Sequence, residues 1–419
     1  MSGRKNAALI HRPDPLGISL ASPEPIPEEG IEAATRLMRR GSLFRYAEED
    51  GDEPSQVALW ESEFASFVGR NYAVAVNSCG GALFLALHCL GVRPGDKVLV
   101  NAWTLAPVPG AVAHASAEAI LVETANDLTV DLEDLEAKAR EHPGSVLLLS
   151  HMRGHVADMD AVTQICQRHR LVLLEDCAHA LGATWNQRAT GTFGLVACFS
   201  TQTYKHLNSG EGGVLVTNDD EIAARAILAS GSYMLYEQHT SRPAPQRFES
   251  LLPEEPNFSM RLTGIAAAVL RPQLRALPDR IVAWNERYRL LSDGLATIAS
   301  VRQPVRPPEE QFVGSSLQFF IEGLDDVAVT AFCRTADELG LHIKWFGGPR
   351  PVGFTSAYGA WGYAKPRQLP KTDRVLSHLC DIRIPLALPL DRCDDVVEIV
   401  RYSLAHTMKS SSHVKGHSS

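Results

Sequence analysis

Four short segments of this chain hold residues whose types and spacing could do chemistry together. Lys205 lies in Ser200-Thr-Gln-Thr-Tyr-Lys-His-Leu-Asn-Ser-Gly-Glu-Gly-Gly213, behind an apolar run. A lysine placed there could desolvate, lose its proton and form an imine with a carbonyl. An isolated lysine is more often a solvated surface charge. The Ser200 hydroxyl could donate to a phosphate. Asp176, in Glu175-Asp-Cys-Ala-His179, ends an apolar run. It could hold a pyridine nitrogen protonated, or simply cap a helix. Asn77-Ser-Cys-Gly-Gly-Ala82 offers small residues between an expected strand and an expected helix. Backbone N–H groups there could close around an anion, or the segment could be an ordinary tight turn. Trp103, in Asn101-Ala-Trp-Thr104, could stack on an aromatic ring or fill a core.

The elements that must position these residues alternate along the chain. Apolar runs fall at Tyr72–Val76, Lys97–Val100, Ala119–Val122, Val146–Leu149, Leu171–Leu174, Val196–Phe199 and Val214–Val216. Helical patterns such as Leu132–Arg140 and Ala161–His169 lie between most of them. Nearly continuous apolar strands separated by helices predict an α/β fold, a mostly parallel sheet covered on both faces. Ligands of such sheets gather at the carboxyl edge, where Asp176, Trp103 and the strand before Lys205 all point. Residues 1–30, with Pro23, Pro25 and Pro27, read as a loose arm, and 31–278 as the large domain. Gln238–Pro256 reads as a long excursion that could reach a partner subunit. Residues 279–408 read as a smaller α+β domain opened by a helix at Asp279–Ala296, with strands near Leu317–Ile321 and Leu341–Trp345. Residues 409–419 read as a disordered tail.

Composition excludes several classes. The 419 residues carry a formal charge of −9 with no basic block, which disfavours nucleic acid and anionic membrane as partners. The eight cysteines form no C-x-x-C pair and read as reduced thiols of a cytoplasmic protein. The apolar stretch Ala7–Ile10 is too short for a secretory leader, and no run is long enough to span a bilayer. His151, His155 and Asp158 could suggest a metal hydrolase, but no Glu separates the histidines and the segment is not one helix face. No metal is expected. The chain also lacks Gly-x-Ser-x-Gly and Gly-x-Gly-x-x-Gly.

In order and spacing the segments resemble the DegT/StrS family of pyridoxal-phosphate (PLP) aminotransferases acting on sugars and cyclitols. Phe44-Arg-Tyr46, Gly154–Asp160, Glu175–Gly182, Thr190–Gly194 and Ser200–Asp219 carry the likeness, which runs from Gly41 to Leu277 and more weakly beyond. The resemblance implies the type I aspartate-aminotransferase fold, PLP as cofactor and a homodimer with active sites at the subunit interface. It implies that Lys205 forms the Schiff base and moves the proton, that Asp176 pairs with the pyridine nitrogen, and that Trp103 stacks on the ring. His179 falls at the family's Gln/His position near the ring. Ser78, Cys79, Gly80 and Ser200 would hold the phosphate, and Asn257 or Ser259 of a partner would complete that site. Tyr46 and Arg153 are substrate candidates. The reaction implied is transfer of an amino group from glutamate or glutamine to a keto-sugar or keto-cyclitol. Its setting would be bacterial secondary-metabolite (aminoglycoside-type) or amino-sugar biosynthesis. The alternatives are dehydration on the same fold, against which Lys205 argues because such relatives commonly carry histidine there, and a non-catalytic PLP-binding regulator. Three segments depart from the family: Ser78-Cys79-Gly80 for Ser-Gly-Thr, which removes a threonine hydroxyl, Ser259-Met260 for Asn-Tyr, and Met152-Arg153 for Leu-Tyr.

Overall fold

The computed structural model describes residues 11–46, 54–232, 234–348, 356–365 and 368–415, with the backbone alone over 409–415. Its centre is a seven-stranded sheet of β1 (Tyr72–Val76), β2 (Lys97–Asn101), β3 (Glu118–Val122), β4 (Val146–Ser150), β5 (Val172–Asp176), β6 (Val196–Ser200) and β7 (Gly213–Thr217). The spatial order is β1-β7-β6-β5-β4-β2-β3. The apolar runs were legible as strands because both faces of the sheet are covered. Along β1, Ala73 and Ala75 enter one core and Val74 and Val76 the other; along β4, Leu147 and Leu149 oppose Leu148 in the same way. Alternate side chains point to opposite faces, so a strand covered twice has no polar register. Each such fully buried Val or Leu contributes about 1.5–3 kcal/mol relative to exposure.

β7 alone runs against its neighbours, pairing antiparallel with both β1 and β6. The connection from Ser200 to Gly213 contains no helix, and a parallel return would need a crossover of a dozen or more residues. The segment carrying Lys205 is therefore a broad hairpin over the sheet edge, closed by the pair Ser200↔Gly213. The parallel strands bring Asn101, Ser150, Asp176 and Ser200 to their carboxyl ends at that same edge.

The helices α1 (Glu28–Arg40), α2 (Gln56–Val68), α3 (Cys79–Cys89) and α4 (Gly264–Ala296) frame the large domain. α4 is longer than the expected Asp279–Ala296: it starts at the Thr263 cap and runs through Pro272 and Pro278. Each proline removes an internal hydrogen bond, but tertiary packing outweighs the loss. Gly30 of α1 approaches so closely that a Cβ there would lie 3.2 Å from the Pro272 ring. The expected domain boundary at 278/279 thus falls inside one continuous helix.

The smaller part is a four-stranded antiparallel sheet of β8 (Val301–Arg302), β9 (Ser316–Ile321), β10 (Lys344–Trp345) and β11 (Leu379–Arg383), in the order β8-β9-β11-β10. α5 (Asp326–Glu338) and α6 (Cys393–Lys415) accompany it. Two expectations change here. Residues 11–27 are docked: Leu16 and Leu20 are buried in the small-domain core, and Leu16 N donates to Leu339 O at 2.8 Å. α6 continues to Lys415, past the expected boundary at 408, while 416–419 and 1–10 lie outside the described residues. The Gln238–Pro256 excursion folds back on its own chain, with Phe248 fully buried and stacked 4.3 Å from Tyr236.

Candidate active site

Lys205 is half-buried on the β6–β7 hairpin, and its Nζ lies 2.6 Å from His179 Nε2. Burial, then the charge of Arg153, pulls the ammonium down to about 8. Burial and the charges of Lys205 and Arg153 hold the His179 imidazole well below its ordinary range. His179 is therefore neutral at pH 7, and its Nε2 accepts from Lys205. On the other side of the lysine, His206 is pulled to about 4 by burial and is held between Leu181 O and Ser315 Oγ. No cation other than Lys205 itself is needed to explain either imidazole's neutrality, because desolvation leads in both.

Asp176 is only 4% exposed at the end of β5. The parallel register sets Ser150 of β4 opposite it, and Ser150 Oγ donates to Asp176 Oδ2 at 2.7 Å. Asn101 of β2 fixes Ser150 in turn, accepting from its N at 2.8 Å and donating to its O at 3.1 Å. Oδ1 of Asp176 accepts from Ala178 N at 3.1 Å and lies 3.9 Å from Cys79 Sγ. This aspartate orients a turn, as a cap would, yet its partners leave it facing the Cys79 turn.

That turn is the start of α3. Ser78 caps the helix, its Oγ accepting from Gly81 N at 2.9 Å. Gly213 makes the turn possible: a Cβ there would stand 2.4 Å from Ser78 O and 2.6 Å from Cys79 N. Ser200 Oγ accepts from Gln202 N at 3.3 Å, and no described acceptor takes its own proton. An anion at the N-terminus of α3 would meet the helix dipole and this hydroxyl. Donors for an anion, a held carboxylate and a half-buried lysine with a lowered pKa make a set that fits PLP: phosphate at Ser78, Cys79, Gly80 and Ser200, ring nitrogen at Asp176, aldehyde at Lys205.

Two of the expected site residues are enclosed by packing. Trp103 is fully buried: it packs edge-on to Phe346, with ring centres 5.5 Å apart, among Leu128, Met152 and Phe320. Tyr46 is also buried, its hydroxyl 2.9 Å from His239 Nε2 in a network where Arg45 grips Glu61. It braces the entry to α2 rather than facing Lys205. Asn257 and Ser259 are exposed and paired with each other, Ser259 N donating to Asn257 Oδ1 at 2.8 Å. Their segment runs beside the α3 turn of its own chain, with Asn77 N donating to Met260 O at 2.8 Å.

Arg153 does enter the chamber. It sits at φ 54° in the turn after β4, next to Gly154 at φ 76°, and pairs with Asp381 Oδ2 at 2.9 Å. Sequence reasoning missed Ser150 and Asn101, and it missed Arg383, which lines the same chamber from β11. The histidines of the metal alternative are dispersed: His151 faces Glu175 at 3.2 Å, His155 faces Gln318 at 2.8 Å, and Asp158 caps a helix. Cys177 completes a compact trio with His151 and Glu175. The Glu175 oxygens, however, accept from Gly191, Phe193 and Gly194 N, so the carboxylate closes a loop.

Comparison with known proteins decides the family. The model of the DegT/DnrJ/EryC1/StrS aminotransferase family matches residues 45–401. The chain belongs to that family. It is similar to the spore coat polysaccharide biosynthesis protein SpsC of Bacillus subtilis (strain 168), 35% identical over 260 residues. That match spans 61% of this chain and 63% of the relative, just under two thirds. It is also similar to dTDP-3-amino-3,4,6-trideoxy-alpha-D-glucose transaminase of Streptomyces venezuelae, 32% identical over 82% of this chain and 85% of the relative. Among solved structures, that of 3-amino-5-hydroxybenzoic acid synthase aligns with a TM-score of 0.78 at 26% identity, covering 94% of this chain and all of the other. In fold the chain shares the mostly parallel α/β core of that synthase. Among the described residues no helix is long and apolar enough to cross a membrane.

Proposed function

We propose that this protein transfers an amino group from an amino-acid donor, glutamate or glutamine, to a ketone on a sugar or cyclitol, in two half-reactions at one site. The observation that carries the reading is Lys205, half-buried, held to a pKa of about 8, touching neutral His179 and within electrostatic reach of Asp176. Relatives named for this chemistry include the Streptomyces nucleotide-sugar transaminase and an L-glutamine:2-deoxy-scyllo-inosose aminotransferase. Bound here, PLP supplies the electron sink into which the substrate's Cα–H bonding pair is drawn. Lys205 would hold the cofactor and, as a neutral amine, would accept and return the proton that the transfer moves. Asp176, fixed by Ser150, would be the partner of the ring nitrogen. His179, 2.6 Å from the Lys205 amine, orients it.

The protein acts as a cytoplasmic homodimer in this reading, supported by its eight free thiols and by the exposure of Asn257 and Ser259, which leaves them open to a second subunit. Its setting is antibiotic or amino-sugar biosynthesis. The test is a visible spectrum of the PLP-loaded protein followed by titration with amino donors. The lysine-linked band should bleach with glutamate or glutamine and return with a keto-sugar or keto-cyclitol. Lys205→Ala should lack both the band and turnover, and full activity in that variant would refute the proposal.

A further inference from the structure

Beyond Lys205 the chamber is walled by cations from both parts of the molecule. Arg153 enters from the turn after β4 and Arg383 from the end of β11. Lys344 of β10 stands 4.5 Å above the Phe346 ring, electrostatically coupled to Arg153. Asp381 answers only part of this charge. One of its oxygens pairs with Arg153 Nη2 at 2.9 Å, and the other accepts from Gln318 Nε2 at 2.6 Å. Arg153 Nε is buried with no acceptor. Among the described residues no carboxylate pairs with Arg383, whose guanidinium rests on the Tyr204 ring at 4.6 Å and donates to Tyr204 O at 3.2 Å. The crowding is mutual: burial and Arg153 pull Lys205 and Lys344 each down to about 8, and burial and Arg153 also lower Arg383.

Buried cations are costly unless an anion meets them. In a two-stage amino transfer the donor and the acceptor occupy this chamber in turn. The donor brings an α-carboxylate. A neutral ketone following it would leave Arg383 facing no anion and Arg153 with Asp381 alone, and binding would bear that cost.

We infer that the acceptor also carries a carboxylate close to the ketone, as in a keto-uronic acid or a cyclic keto-acid, and that Arg153 and Arg383 grip it. This deepens the aminotransferase reading and rests on it. Arg383, with no acidic partner of its own, is the specificity-determining member. Arg153 is pre-aimed by its pairing with Asp381 and by its left-handed backbone. A nucleotide-linked sugar also carries negative charge, but its diphosphate lies at the far side of the sugar from the reacting carbon, whereas these arginines share the wall with Lys205.

The experiment uses the PLP-loaded protein and calorimetric binding of a matched pair, D-glucuronate against D-glucose, with UDP-glucose as a third probe. Glucuronate should bind at least tenfold tighter than glucose. Arg383→Gln should erase most of that difference while leaving the spectrum of the lysine-linked cofactor and the melting temperature unchanged. Arg153→Lys, which keeps a charge for Asp381, should weaken glucuronate less than Arg383→Gln does. Equal binding of glucuronate and glucose overturns the inference, as does loss of UDP-glucose binding as large as that of glucuronate in Arg383→Gln. Bleaching of the band by glutamate or glutamine is scored separately. If the donors work and the matched pair shows no preference, only the inference falls; if no donor bleaches the band, the aminotransferase reading falls and takes the inference with it.

Discussion

Capture of PLP by the apoprotein should titrate near pH 8, not near the 10.5 of an ordinary lysine. Only the neutral amine attacks the aldehyde. At pH 7 a lysine of pKa ~8 is about one-tenth neutral, against roughly one part in 3,000 for an ordinary lysine, a ~300-fold gain in reactive amine. Burial leads the shift and Arg153's charge follows, so Arg153→Gln should move the midpoint upward by relieving the ammonium of a repulsive neighbour. Capture at pH 7 should then slow, while the plateau above pH 10.5 stays where it was. The assay is stopped-flow absorbance of apoprotein mixed with PLP between pH 7 and 10.5, above the second phosphate ionisation near ~6. The same shift has a folding signature. Between about 8 and 10.5 the unfolded chain holds a proton that the folded apoprotein has released, so stability rises with pH across that window, by ~3 kcal/mol in all. A capture midpoint at 10 or higher in the unaltered protein would refute the reasoning, because it would mean that water reaches Lys205 freely.

Three further outcomes follow from single contacts. Ser150→Ala removes the donor to Asp176 Oδ2; a hydrogen bond to a charged group contributes about 1.5–3 kcal/mol, so kcat should fall ~10- to 100-fold, with recovery in Ser150→Thr. Gly213→Ala drives a Cβ to 2.4 Å from Ser78 O, whereas Gly110→Ala meets nothing within 4 Å; thermal melts should show the first losing at least ~1–3 kcal/mol and the second almost nothing. Glu61, gripped by Arg45 at 2.8 and 2.6 Å, is brought to about 2 despite burial, so its contribution is present above about 4.5 and is lost as pH falls toward 2. Glu61→Gln strands Arg45 and should cost ~3–5 kcal/mol in denaturant unfolding, more than exchanging both partners for apolar residues.

The strands were readable because β1 through β7 each carry an uninterrupted apolar run, and that readability extended to whatever sits at their ends: Asp176, Ser200 and, one hairpin on, Lys205. Partnerships set by register were not readable. Ser150 holds Asp176 only because β4 and β5 pair in parallel with those residues opposite, and no local pattern announces that alignment. β11, Leu379-Cys-Asp-Ile-Arg383, escaped notice because Asp381 interrupts its apolar run; Arg383 lines the chamber from the small domain and Asp381 pairs with Arg153. The packing of Trp103 was hidden for a related reason, because Phe346 reaches it from far along the chain. The prolines of α4 stopped the sequence reading at a boundary that the packing of Gly30 against Pro272 overrides.

The residues that match the family pattern and those that depart from it divide by position in the chamber. Lys205, Asp176, His179 and Ser200 keep the family's types and are the residues proposed above to meet the cofactor. Cys79 departs but keeps the turn neutral. Burial and the neighbouring Asp176 carboxylate push its thiol well up, so it remains protonated, a weak donor 3.9 Å from Oδ1 rather than a second negative charge. A thiolate there would compete with Asp176 for the ring nitrogen and weaken the phosphate site at the same helix end; a thiol does neither. Arg153 departs in the opposite sense, adding charge where the family commonly places a tyrosine. It holds that charge in a left-handed conformation that costs a non-glycine residue about 1–2 kcal/mol. Strain of that kind persists only where the surroundings hold it in place. Here they are Asp381 on one side and, through Gly154, the His179 carbonyl on the other, which a Cβ at residue 154 would approach to 3.1 Å. The catalytic floor of the chamber is thus kept, and the wall that the substrate meets is rebuilt in cationic form.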